Sequence, residues 1–195
     1  MNKILIKEKL NLNSKIFIVL AITCAWCSTY YLNEWLFSQF TLIENFISWV
    51  FVPAAIRVIA VLLAGWLGVI GLFLGSAVTF MFASGYEPMS MNILVLAAIS
   101  SVAPMMALLT CAKYLNIQNS LKGLSASNLF VFCAVCAMFS VLPFNVAYYY
   151  FGFSINILDG IGPMFIGDFL GMLIVLYIIR LTFPKLQKKP KKCLL

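Results

Sequence analysis

Apolar residues run in long blocks along this chain, and the polar ones are gathered between the blocks. After a polar start, MNKILIKEKLNLNSK, an apolar stretch extends from Ile16 to about Leu32. Further stretches occupy about 46–64, 66–83, 91–112, 128–150 and 162–182. Each falls in the range of about 17–25 residues that a helix needs to cross a bilayer. The pattern predicts an all-α fold, a polytopic transmembrane helical bundle of about six spans. The second and third stretches are parted only by Gly65-Trp66-Leu67-Gly68, a tight helical hairpin whose glycines supply backbone freedom. The first stretch is not closed by a small-x-small cleavage site, so it reads as a span rather than a signal peptide. Thr23 before Cys24 does not suit lipoprotein processing.

The charged residues orient the spans. Lys3, Lys7, Lys9 and Lys15 precede the first span, Lys113 and Lys122 lie between the fourth and fifth, and Arg180, Lys185, Lys188, Lys189, Lys191 and Lys192 end the chain. With six spans these 12 of the 13 basic residues share one face. The opposite loops hold Glu34, Glu44, Glu87 and Asp159. Lysine and arginine mark the cytoplasmic side, so both termini are expected there. Tyr30, Tyr31, Trp35, Trp49, Tyr86, Tyr148, Tyr149 and Tyr150 fall near the other ends of the spans, as an interfacial aromatic belt would. The expected organisation is a basic cytoplasmic segment over 1–15, a single transmembrane bundle over 16–182 and a basic cytoplasmic tail over 183–195.

Composition agrees. Of 195 residues, 64% are apolar and 10% charged, against about 25% charged in a soluble domain. A soluble globule and a disordered chain are both excluded. The net charge of +7 would suggest nucleic-acid binding in a soluble protein. Here the basic residues are explained by topology, and no nucleic acid is expected. The chain has no histidine, which removes Ser–His and Cys–His catalysis and His-ligated metal sites. No catalytic residue, metal or cofactor is assigned, and an enzyme is the least supported class.

Arg57 is the first candidate for chemistry. It stands about eleven residues into the second stretch, near mid-bilayer, where an arginine costs about 2.5–3.5 kcal/mol on insertion scales. Asp168, in Gly167-Asp168-Phe169-Leu170-Gly171, is its natural partner. The pair would be either a ligand-binding polar site or a lock on helix register, and the residues alone leave both open. Pro53, Pro104 and Pro143 lie inside spans, where each removes a helical hydrogen bond. With Asn145 they would shape a shallow cavity, or are simply tolerated. Gly71-x-x-x-Gly75 and Gly167-x-x-x-Gly171 are small-residue faces suited to close helix packing within the chain. Cys24-x-x-Cys27 and Cys133-x-x-Cys136 lie inside apolar helices, away from the exposed helix N-termini that activate thiols, so packing is their expected role. Cys193 is third from the end and forms no prenylation box.

The order Phe51-Val52-Pro53-Ala54-Ala55-Ile56-Arg57, Leu62-Leu63-Ala64-Gly65-Trp66, Gly71-Leu72-Phe73-Leu74-Gly75 and Gly167-Asp168-Phe169-Leu170-Gly171 resembles bacterial MASE-type membrane-associated sensor domains, type-one branch. The matching blocks cover about a third of the chain. Members of that family usually have about eight spans and feed a kinase or cyclic-dinucleotide domain. This chain has six and a short basic tail, and Ala55 replaces the usual glycine. The resemblance implies a stand-alone sensor-like protein of the bacterial inner membrane that binds a ligand or protein partner, with no output activity. A second expectation is a transport component such as the substrate-binding subunit of an energy-coupling-factor importer. Those are also small, basic and six-span, and Ala21-x-x-x-Ala25 is similar to the face they dock with.

Overall fold

A computed structural model describes residues 11–37, 41–43, 47–83, 91–114, 126–152 and 157–182. The basic residues of the extreme N-terminus and of the tail beyond Thr182, with Lys122, Glu44, Tyr86 and Glu87, lie outside them. So do the side chains of Asp159 and Arg180. Six helices form among the described residues: α1 Leu12–Phe37, α2 Pro53–Ala64, α3 Trp66–Ala83, α4 Met91–Tyr114, α5 Ala126–Tyr150 and α6 Ile157–Thr182. Four of them are long and apolar enough to cross a membrane: α1, α4, α5 over Ser127–Tyr150, and α6 over Gly160–Ile179. The chain is a helical membrane protein.

Two points differ from the sequence reading. The fold is all-helical as expected, but a short antiparallel ribbon, β1 Thr41–Ile43 and β2 Ile47–Ser48, precedes α2. The stretch over 46–64 is also not one helix. Its first part is ribbon and non-helical chain, and the helix begins at Pro53. Proline lacks an amide hydrogen and suits the first helical position, where none is needed; the preceding Trp49-Val50-Phe51-Val52 is aromatic and β-branched, a poor helix former.

Helix direction follows from the α1–α3 contacts. The Thr23 hydroxyl donates to the Gly71 carbonyl (3.0 Å), the Cys27 thiol to the Gly75 carbonyl (3.8 Å), and the Trp26 indole N–H to Thr79 Oγ1 (3.2 Å). Numbers rise together, so the two helices run parallel. Gly71 packs at Ile22 and Gly75 at Trp26, which puts Trp66 near the level of Phe17. From the end of α1 back to that level is about 30 Å along the axis. The 12 residues of α2 return about 18 Å of it. The remainder falls to the non-helical residues 49–52, of which Val52 already has helical dihedrals at the cap of α2. The chain turns into α3 at Gly65, whose φ of +56° favours glycine. Immediately beyond, Gly68 lies against the Ala60 carbonyl, a contact with no room for a Cβ.

Buried apolar residues fall into two clusters. One contains Trp26, Val58, Leu72, Met105, Phe132, Ala137 and Met172. The other contains Ala77, Phe80, Ile93, Ala97, Val141, Phe144 and Met164. Helices α3 to α6 each pass from one cluster to the other within a turn or two. Inside the lipid such clusters are held by packing rather than by exclusion of water.

Of the aromatic belt, Tyr31, Trp35, Trp49, Tyr149 and Tyr150 are exposed. Tyr30 and Tyr148 are buried instead and belong to the core. Their neighbours in sequence take the surface, because a helix turns adjacent residues about 100° apart.

Candidate functional site

Arg57 is the fifth residue of α2 and is buried, with 5% of its surface exposed. Its Nη1 lies 3.0 Å from Asp168 Oδ2 on α6 and donates to Ser140 Oγ on α5 at 3.3 Å. The guanidinium carbon sits 5.1 Å from the centre of the Trp26 ring and 5.2 Å from that of Phe51. One cation is thus held by a carboxylate, a hydroxyl and two aromatic faces, from three helices and the non-helical segment. Cation–π contacts of this kind strengthen when desolvated, to about 2 kcal/mol. Asp168 is 1% exposed, so both charges are out of solvent and depend on each other. Arg57 Nε has no hydrogen-bond partner among the described residues.

The segment above the pair is non-helical, half-buried over 50–52 and exposed at Trp49, and two of its amides are held at fixed places. The Val52 amide donates to Asn33 Oδ1 on α1 at 2.9 Å. The Phe51 amide donates to the Gly167 carbonyl in mid-α6 at 3.1 Å. The Phe51 carbonyl presses on Gly171, where any Cβ would collide with it. The Gly167 carbonyl and the bare face of Gly171 therefore form a bed for this non-helical segment. Gly71 and Gly75 do pack on a helix, against Val19, Ile22 and Trp26 of α1.

Of the other candidates, Pro53 is buried at the start of α2 and fixes where Arg57 falls on the helix. Asn145 stands apart from the pair. Its amide donates back to the Val141 carbonyl at 2.9 Å and meets Met164 Sδ at 3.4 Å, within the second apolar cluster. Pro104 is buried, while Pro143 is exposed on the outside of α5. The structure does not gather Pro143 and Asn145 around Arg57.

Trp26, Asn33 and Ser140 complete the site and were not singled out in the sequence, where Phe51 entered only as the first residue of the resemblance motif. Only Asn33 carried a usable signal, as an amide beside the end of an apolar helix that needs a partner. Ser140 looks like any small residue of a span.

A polar level runs through the bundle here. Passing from one apolar cluster to the other, α3 presents Ser76, α4 Ser100 and Ser101, α5 Ser140 and α6 Asp168, all buried. Ser76 Oγ and Ser100 Oγ have no hydrogen-bond partner among the described residues.

The cysteines differ between the two pairs. Cys24 is exposed and Cys27 half-buried, whereas Cys133 and Cys136 are buried in the first cluster with Cys111; all five are free. No group of three or more His, Cys, Asp or Glu side chains suited to a metal occurs among the described residues. Cys24→Ala with Cys27→Ala should leave thermal stability in detergent nearly unchanged. Cys133→Ala with Cys136→Ala removes two packed sulfurs and should cost about 1–2 kcal/mol. Equal losses in the two double variants would contradict this difference in burial.

No known protein family, curated protein or solved structure matches the chain.

Proposed function

We propose that this chain is a six-span protein of the bacterial inner membrane with both ends in the cytoplasm, resembling a MASE-type sensory module. It binds a ligand or protein partner and is not an enzyme. The second span is the broken one: residues 49–52 cross the outer third and α2 the rest. Non-helical backbone at membrane depth is tolerated only where protein or a cavity surrounds it, and such breaks are where membrane proteins build polar sites.

The observation that carries the reading is the Arg57–Asp168 pair directly below this break. The residues that carry the family resemblance meet there: Phe51 rests on Gly167 and Gly171, and Arg57 reaches Asp168. A partner or ligand that moves the outer ribbon would pull on Phe51 and α2 and so act on the pair.

One observation favours the transport reading as the second. Ala21 and Ala25 are both exposed on α1, leaving the stripe open to a coupling subunit.

Purification from native membranes in mild detergent tests both. A small molecule or partner retained by the wild type and lost in Arg57→Gln supports the sensor reading. Recovery of a transmembrane coupling subunit with ATPases, lost in Ala21→Leu with Ala25→Leu, replaces it with transport. Topology is checked separately: reporters fused at Leu195 and near Glu87 should report opposite compartments, and a periplasmic C-terminus would overturn the six-span assignment.

A further inference from the structure

The polar level between the two apolar clusters holds more hydrogen-bonding capacity than its side chains use. Ser76 Oγ, Ser100 Oγ and Arg57 Nε are buried without partners, and each such group costs about 1–3 kcal/mol if left dry. They belong to neighbouring elements. Arg57 touches Ser140, and its guanidinium lies over Trp26, whose indole reaches Thr79. The Thr79 hydroxyl in turn lies 3.1 Å from the Ser76 carbonyl. Buried Pro104 adds an acceptor, because it has no N–H to give the Ser100 carbonyl one turn earlier.

We infer that this level is an internal water-binding site, in which water joins Arg57 Nε to the Ser76 and Ser100 hydroxyls. The chemistry selects water over an ion. The guanidinium repels a cation, while Asp168 and the Ser100 carbonyl disfavour an anion. The pair is already neutral. What is left is a mixed set, one obligate donor, two hydroxyls that both donate and accept, and a free carbonyl. A buried water needs 2–4 such partners. The site is independent of what the protein binds from outside.

Hydroxyl-radical footprinting by X-ray radiolysis of the full chain in lipid nanodiscs tests this, since radicals formed from bound water modify the side chains beside it. Met105 and Met172 flank the level and are each 2% exposed. Both should be oxidised rapidly despite burial. In Ser76→Ala with Ser100→Ala their rate should fall several-fold, while that of exposed Met91 stays the same. Protected Met105 and Met172 in the wild type would overturn the inference, whether or not the double variant folds. So would unchanged labelling in a folded double variant. The single variants give a second readout: removing a water-bridged hydroxyl lowers the melting temperature, whereas removing a dry, unpaired one raises it. A rise in both would also overturn the site.

Discussion

Arg57→Gln and Asp168→Asn, made singly, should each lower the stability of the detergent-solubilised protein by about 3–5 kcal/mol, the usual cost of stranding one member of a buried pair. The two groups are 3.0 Å apart and almost fully buried, so neither can turn to solvent when its partner is lost. The double variant should lose clearly less than the sum of the two, because no charge then remains unpaired. A thermal melt of the four proteins gives the coupling directly. Strict additivity would mean that Trp26, Phe51 and Ser140 alone hold the guanidinium. Ser140→Ala should cost less, about 1–2 kcal/mol, since it removes one hydrogen bond to a charged group and leaves the ion pair in place.

Gly171→Ala should be strongly damaging for a change of one methyl group. The new Cβ would overlap the Phe51 carbonyl, and that carbonyl cannot retreat while the Phe51 amide is bonded to Gly167. Overpacking of this kind costs about 1–3 kcal/mol, occasionally more. Gly162→Ala, in the same helix, has nothing within 4 Å of the added methyl. The gain of up to about 1 kcal/mol from helix propensity is offset by crowding of that methyl against the ring of Pro163, which follows it in the helix, so little net change is expected. A lower melting temperature for Gly171→Ala with no loss for Gly162→Ala is the expected result. Similar behaviour of the two would show that the non-helical segment yields easily.

The apolar blocks located all six helices, because lipid-facing length is written directly in composition. Arg57 and Asp168 stood out for the same reason: two charges in apolar surroundings are conspicuous, and few acids were available to pair. The break before α2 was not legible. Trp49-Val50-Phe51-Val52 is as apolar as the helices around it, and hydropathy does not distinguish non-helical chain from helix. Gly167 and Gly171 show the same limit. Their spacing marks a close approach, but it does not say whether a helix or a strand approaches. Ser140, Ser76 and Ser100 were hidden because serine is common in spans as a small packing residue, and only the three-dimensional register aligns them.

The broken second span also orders events during synthesis. Arg57 and Asp168 are 111 residues apart, and the backbone rests for Phe51 lie in that same last helix. At about 5–20 residues per second, Arg57 leaves the ribosome roughly 6–22 s before its carboxylate. Trp26 and Asn33 are already present by then, and α3 follows at once, so α1 to α3 form a provisional unit with an unneutralised cation. A chain truncated before α6 would carry that unit indefinitely, with the Phe51 amide unbonded and the arginine exposed to lipid. Helix α6 is therefore the closing step for the site, supplying the carboxylate and both backbone rests at once.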